Sequence, residues 1–378
     1  VTKVGAIMEK KLKALVAGHI CLDITPILDQ QSDQSLQDVI APGALSTVKD
    51  AVISLGGAVA NVGLALKKLG IPVCMNSMIG DDEFGMIIEQ KIRDAGAECA
   101  LTKKAGVLSS FSIVLSVKGC DRIFFHAPGA NNIYQSKDIG DDVLKNADIL
   151  HFGYPPIMRQ MFKDNGNDLR ILLSRAKEAG LITSLDMAMP DPMSESGQVN
   201  WISVLENVLP YVDIYVPSIE ETLFMIDRDT YDDYKERSKN CDMIDVLDLN
   251  ILDRLADQLH QMGPRVVLLK CGYKGCYIST RELPNNFLGF NQALRGNWSN
   301  RRRFEKSYKV EDIATTTGAG DTTIAGLLAA IMSHYTLENA IATAVAVGAL
   351  CVQSDAVVDK ILPLEDIRNL AEKWGKRP

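Results

Sequence analysis

Short apolar runs, each closed by turn residues, alternate with amphipathic stretches along most of this chain, and that alternation leaves few folds open. Residues 14–20, 73–79, 148–152, 182–185, 213–216 and 266–270 read as strands. Between them, 58–69, 83–95, 169–179 and 251–262 carry helical periodicity. The first two of these helices run into Gly70 and Gly96, a common way for a helix to stop. The strand runs are apolar at successive positions, as buried parallel strands are when helices cover both faces of a sheet. Repeated strand–helix order predicts an α/β sheet with right-handed crossovers. Two stretches break the rhythm. Residues 24–50 and 109–126 lean towards β with no intervening helix, and predict a small accessory sheet. Residues 227–250 and 281–309 are polar and read as surface insertions, with Arg301, Arg302 and Arg303 on a solvated loop.

Composition removes several classes. The chain is 47% hydrophobic and 23% charged, which excludes collagen, coiled-coil and disordered architectures. A formal net charge of −8 repels phosphate backbones, and one arginine triplet does not reverse that, so no nucleic-acid partner is expected. The longest apolar stretches, 322–332 and 340–352, fall short of the ~18–20 residues of a membrane span. Polar residues, Ser333, His334, Glu338 and Asn339, separate them into two buried helices. No apolar signal core follows Lys10, Lys11 and Lys13, and residues ahead of about Lys13 read as a lead outside the fold. Eight cysteines (21, 74, 99, 120, 241, 271, 276 and 351) are irregularly spaced with no C-x-x-C. They predict free thiols and a cytoplasmic protein. The five histidines show no metal-ligand spacing and no Cys/His cluster. His19 and His151 lie near the ends of apolar strands and read as core residues or as site-facing ones, core first, while His126 falls on the second β-leaning stretch, within reach of a substrate there.

The segment from Ile313 to Gly326, IATTTGAGDTTIAG, carries the chemistry. A β-type run, 308–313, leads in, and the apolar helix 322–332 follows, so Gly318, Ala319 and Gly320 fall at a strand-to-helix junction. Glycines there let the backbone turn sharply and approach a ligand. The first helical amides lack intrahelical partners and the macrodipole adds positive potential, which makes a phosphate site. Asp321 stands at the same helix start. A carboxylate there repels phosphate, but it makes sense as the base that deprotonates an attacking hydroxyl. The other reading is that it merely stabilises the helix N-terminus, worth about 0.3–1 kcal/mol. Neither G-x-x-x-x-G-K-[ST] nor an early G-x-G-x-x-G occurs, which disfavours P-loop and dinucleotide-binding readings.

Upstream, Gly56 and Gly57 open a helix, with Asn61 one turn in and Asp23 just after the first strand. Gly57 permits close backbone approach, and the Asn61 amide can donate to and accept from a hydroxyl. Polar groups at the carboxyl ends of strands are where α/β folds bind ligands. Taken singly, Asp23 and Asn61 also fit capping or turn roles. Asp186 follows a strand at the same edge and fits either a site-facing acid or a turn cap.

The two glycine-bearing segments, with Gly80-Asp81-Asp82-Glu83-Phe84-Gly85 between them, resemble the signatures of the ribokinase-like (PfkB) family of carbohydrate kinases. The resemblance implies a three-layer α/β/α ribokinase-like fold over 13–378, with a mostly parallel central sheet. It implies a small β-sheet lid drawn from about 24–50 and 109–130. The activity implied is transfer of the γ-phosphoryl group of ATP, with Mg²⁺, to a hydroxyl of a sugar or sugar-like molecule. By matching position, Asp321 would be the general base. Gly318, Ala319 and Gly320 would form the anion hole. Asp23, Gly57 and Asn61 would bind the substrate, and Glu221 would act on the metal through water. Lys270, Gly272 and Gly275 would belong to the nucleotide loop, Lys270 either reaching a phosphate or lying in solvent. Relatives often dimerise through the lid, so a homodimer is a further expectation.

Besides Lys270, which occupies a place often held by Thr, three positions depart from the family pattern. Thr315 stands where an Asp often helps hold a monovalent cation, which leaves potassium dependence open. Ser218 replaces the Asn of the N-x-x-E motif that precedes Glu221, and Thr323 replaces a common Phe. The first two departures motivate a sugar-binding sensor without catalysis as an alternative. A nucleoside kinase of the same fold is another, since a ribose presents similar hydroxyls.

Overall fold

The computed structural model describes residues 11–28, 42–43, 45–115, 123–239, 241–354 and 356–377. In chain order its strands are β1 (Ala14–Gly18), β2 (Cys21–Leu28), β3 (Val48–Gly56), β4 (Val73–Asn76), β5 (Met78–Gly80), β6 (Glu98–Cys99), β7 (Thr102–Lys104), β8 (Phe111–Leu115) and β9 (Ile123–Ala127). There follow β10 (Ile149–Gly153), β11 (Ile182–Leu185), β12 (Ile214–Tyr215), β13 (Val266–Lys270), β14 (Gly275–Thr280) and β15 (Arg302–Lys306). Nine of them form one sheet in the order β15-β14-β13-β12-β11-β10-β1-β4-β6. From β6 to β13 every pairing is parallel; β14 alone is reversed, pairing antiparallel with both β13 and β15.

Alternation along each strand sends side chains to two separate apolar layers. Ala14, Val16, Ile149, Val266 and Leu268 pack on one face with the helices Gly57–Lys68, Ala319–Met332 and Leu337–Cys351. Leu15, Ala17, Leu150, Phe152, Val267 and Leu269 pack on the other with Arg159–Glu178, Trp201–Val208 and Leu252–Met262. This is the three-layer α/β/α architecture. A separate four-stranded sheet, β3-β2-β8-β9, stands beside it. Its strands come from the two β-leaning stretches, though β2 begins at Cys21 and β3 ends at Gly56, so Asp23 lies inside the small sheet. The parts of those stretches at 29–41, 44 and 116–122, together with Cys120, lie outside the described residues.

Several local expectations are corrected. Residues 73–79 are two strands, because the chain turns at Ser77, whose hydroxyl donates to Gly18 O, and β5 then pairs with β7. Residues 308–313 are not a strand; Tyr308 makes one isolated bridge to Lys376. The strand next to the signature segment is β15, inside the stretch that read as an insertion. As the sheet's edge strand it keeps polar residues exposed, and so looks like a loop. Its arginine run is tied down internally, Arg301 to Glu338 at 2.7 Å and Arg303 to Glu305 at 2.9 Å, while Trp298 in the same stretch is fully buried. The polar stretch 227–250 folds into helices Arg228–Arg237 and Met243–Val246, with Tyr231 and Tyr234 buried. The helix expected at 169–179 extends back to Arg159, with a break where Asp164, Asn165 and Gly166 take positive φ. Among the described residues all seven cysteines are free, and no helix is long and apolar enough to cross a membrane.

Candidate active site

Parallel strands deliver their carboxyl ends to one edge of a sheet, where α/β proteins bind ligands. Here Tyr154 follows β10, Asp186 follows β11, and Lys270 is the last residue of β13. The helix Ala319–Met332 starts at the same edge. Its N-cap, Gly318, has φ +78°, and a Cβ there would stand 2.5 Å from Val357 Cγ1, so both conformation and space demand glycine. The first helical bond runs from Thr322 N–H to Gly318 O, and no side chain caps the helix. The early amides therefore keep their donor capacity, and the macrodipole points its positive end the same way.

Asp321, in that first turn, is 2% exposed. Asn61 Nδ2 donates to its Oδ2 at 2.8 Å, and the Tyr154 hydroxyl reaches Oδ1 at 2.8 Å and Oδ2 at 2.7 Å. Burial pushes the Asp321 carboxyl above its usual range; the Asn61 and Tyr154 hydrogen bonds and the Lys270 charge pull the other way without cancelling it. Sequence reasoning placed Asn61 on substrate hydroxyls. One N–H of its amide donates to Asp321, and Oδ1 remains as an acceptor.

Lys270 turns inward, with its side chain 12% exposed, rather than lying in solvent. Its ammonium lies 2.6 Å from Asp186 Oδ1. A Cβ built on Gly320 would meet the end of this side chain at 3.7 Å, so the ammonium stands beside the helix start. Desolvation disfavours its charge, but Asp186, Glu221 and Asp321 outweigh that and hold Lys270 protonated. Burial pushes the Asp186 carboxyl up, and repulsion from Glu221 and Asp321 adds to it.

Ser218, a departure from the family's Asn, caps the helix Ile219–Ile226: its hydroxyl accepts from Glu221 N at 3.1 Å, while Glu221 Oε2 accepts from Ser218 N at 2.7 Å. This capping box was legible as S-x-x-E and was missed. Thr315 is buried and accepts from Thr317 N through its hydroxyl at 3.1 Å.

The upstream glycine pair is explained by what lies against it. A Cβ on Gly56 would fall 2.2 Å from the Asp23 carboxylate. Gly57, at φ +85°, would place one 2.5 Å from His19 Nδ1 and 2.7 Å from His19 O. Asp23 also accepts from Cys21 Sγ at 3.3 Å. Gly272 and Gly275 form the β13–β14 turn. Gly275, at φ +126°, is pressed against Glu305 O of β15, so its neighbours are sheet backbone. His151 is a core residue, as expected, with Nδ1 at 2.9 Å from Ser184 Oγ, and burial lowers it to about 3.

Two features escaped the sequence. Tyr154 has φ +68°, rare for a residue with a side chain, and only its place after a strand end hinted at a role. The expectation of no Cys/His cluster is overturned, because His19, Cys21 and His126 converge with their ligand atoms within 4.8 Å of one another. Positions 107 residues apart in sequence cannot show such a meeting by spacing.

A sequence model of the pfkB family of carbohydrate kinases matches residues 12–363. A probable chloroplastic fructokinase-6 of Arabidopsis thaliana is 25% identical over 310 residues, covering 79% of this chain and 69% of the relative. The structure of Arabidopsis thaliana ribokinase complexed with ribose and ATP superposes with a TM-score of 0.69 at 18% identity, over 96% of this chain and 99% of that one. A putative ribokinase II of E. coli, in complex with ATP and Mg²⁺, gives a TM-score of 0.68 at 20% identity, over 96% and 99%.

Proposed function

The chain belongs to the pfkB family of carbohydrate kinases, ATP-dependent phosphotransferases with alcohol acceptors, and on that premise we propose that Asp321 is the base activating a hydroxyl of a free sugar or sugar-like substrate. The observation that carries this reading is a buried carboxylate in the first turn of a helix whose N-cap glycine brings no capping side chain, gripped by Asn61 and Tyr154, with the Lys270 ammonium alongside. The Asp321 carboxylate takes the acceptor proton as the acceptor oxygen bonds to the γ-phosphorus. The bond from that phosphorus to the bridging oxygen breaks, and ADP leaves. A positioned base of this kind contributes about 10²–10⁴-fold. The amides of Gly318, Ala319 and Gly320 and the Lys270 ammonium face the charge of the migrating group, where preorganised donors act most strongly.

Asp23, the Gly57 backbone and Asn61 Oδ1 hold the acceptor, and Lys270, Gly272 and Gly275 border the nucleotide. Asp186 contacts the one ammonium and the charges of Glu221 and Asp321 also act on it, and this surplus of hard oxygen donors suits Mg²⁺. Asp186 and, through water, Glu221 would hold it, and it would supply positive charge against the phosphates.

The domain extends over 13–378, and the small sheet serves as the lid that excludes water. The row Ile53–Ile24–Ile113–Phe125 crosses all four of its strands on the face away from His126. Ile53, Ile113 and Phe125 are exposed there, which supports pairing of two copies through this sheet. Ile113→Glu is then expected to sediment as a monomer where the parent chain is a dimer.

Phe124 shares the pocket-side face with His126 and is 50% exposed, which favours a nucleoside as the second reading, its base stacking on that ring. An ADP-release assay over free sugars, sugar phosphates and nucleosides separates the two. Sugar binding with no ADP release across the panel would overturn the kinase reading altogether.

A further inference from the structure

Register places Asp23, Ser112 and His126 in one row across β2, β8 and β9, pointing to the same side of the small sheet. Cys21, two residues before Asp23, points to that side as well. His19 comes from the turn after β1 and meets them from the large sheet. His19 Nε2 and His126 Nε2 are 3.3 Å apart. Two nitrogens bound to one tetrahedral Zn²⁺ at ~2.05 Å lie about 3.3–3.4 Å apart, so this separation needs no rearrangement to accept the ion.

Hydrogen bonds support the cluster from the small sheet. Cys21 Sγ donates to Asp23 Oδ1, and Ser112 Oγ donates to Cys21 Sγ at 3.8 Å. Ser112 Oγ also lies 3.1 Å from His126 Nδ1 and accepts from it in the tautomer that carries the proton there. In that tautomer His126 presents its Nε2 lone pair to His19. The buried His19 Nδ1 has no hydrogen-bond partner among the described residues. The Ser112–His126 bond orients a ring whose other nitrogen is free to ligate, the usual arrangement behind a metal-bound histidine. His126 is exposed, which opens a path for the ion, while Cys21 and His19 are buried.

We propose that His19 Nε2, Cys21 Sγ and His126 Nε2 form a site for one Zn²⁺, joining the end of β1 to the small sheet. The set leaves a fourth position open, as three-ligand zinc sites do. On binding, the Cys21 thiol gives its proton to solvent and the thiolate sulfur bonds the ion; nothing is oxidised or reduced. The inference does not depend on the role given to Asp321, and its readouts are independent of turnover.

The test uses the full chain, reduced and stripped of metal, titrated with Co²⁺ and then Zn²⁺ alone. Expected are tetrahedral d–d bands and a thiolate-to-cobalt charge-transfer band that saturate at one equivalent and vanish as Zn²⁺ displaces the cobalt. Ser112→Ala should weaken Zn²⁺ binding by about 10–100-fold, as loss of a supporting hydrogen bond does, and His126→Ala by more than that. Cys21→Ser should lose the charge-transfer band. A charge-transfer band that survives Cys21→Ser, or an affinity unmoved by His126→Ala, places the ion elsewhere and overturns the proposal. So does the absence of any tetrahedral spectrum. His126→Ala alters an exposed position of β9, so an unchanged circular dichroism spectrum certifies its fold.

Discussion

The Tyr154 phenol lies within 2.8 Å of both carboxylate oxygens of Asp321, from 167 residues away in sequence, and shares its one proton between them. Tyr154 sits at φ +68°, a conformation that costs a residue with a Cβ of order 1–3 kcal/mol and that persists only where the surroundings hold it. Its neighbours in the chain, Gly153 at a strand end and Pro155 at the start of a short 3₁₀ turn, define that place. The acid on one element and its clamp on another are thereby locked in one geometry.

Asp321→Asn is expected to lower kcat by about 10²–10⁴-fold with ATP affinity retained, as measured by ADP release and by nucleotide titration. Stability should move the other way. The folded carboxyl titrates above its unfolded value, so its contribution to stability falls as pH rises through the folded pKa, and above it the folded state bears the cost of a buried charge. The Asn variant should therefore unfold in urea no earlier than the parent at pH 8, with the difference shrinking as pH falls. Near-normal turnover would remove Asp321 from its role.

Tyr154→Phe deletes one of the two hydrogen bonds that favour the ionised carboxylate, while burial continues to oppose it. The Asp321 pKa should rise further. Because the base works only when ionised, the acid limb of the kcat/KM–pH profile should shift to higher pH, with the loss of rate largest at low pH. An unshifted acid limb would mean that the phenol does not govern the carboxylate.

Lys270→Met leaves Asp186, Glu221 and Asp321 without their ammonium. Removing one partner of a buried ion pair costs about 3–5 kcal/mol, and urea unfolding should show a loss of that order. The double variant Lys270→Met/Asp186→Leu should regain much of it, since it strands one charge fewer. If the single variant unfolds like the parent, the pair is not held as described.

Gly57→Ala meets two obstacles together. At φ +85° a side chain costs about 1–2 kcal/mol. Its Cβ would also stand 2.7 Å from the His19 carbonyl, which is backbone and cannot swing away. The melting temperature should fall and the KM for the acceptor should rise, because His19 and the start of β2 are pushed off. Ala at Gly70 has the same sign of φ but nothing within 4 Å, and serves as the control for backbone strain alone.

Much of this architecture was legible because it rests on local pattern. Parallel strands buried on both faces, such as Val266–Lys270, announce themselves by continuous apolar residues, and Gly57 and Gly318 mark turns that only glycine accommodates. The edge strand Arg302–Lys306 was hidden for the converse reason. One side of it faces solvent, so its composition is that of a loop. The helix Arg228–Arg237 was hidden likewise, since two buried tyrosines anchor an otherwise polar sequence.

At the site, the sequence alone determined which groups stand at a helix start or a strand end: Asp321 after Gly-Ala-Gly, Asn61 after Gly-Gly, and Lys270 closing a strand. Those are consequences of short-range backbone geometry. Only the tertiary structure decided that Tyr154 and Asn61 grip Asp321, that Lys270 turns inward to Asp186, and that His19, Cys21 and His126 meet. Each of those contacts joins residues far apart in the chain. They form because packing the sheet brings strand ends together, and burial then leaves each polar group no partner but another one.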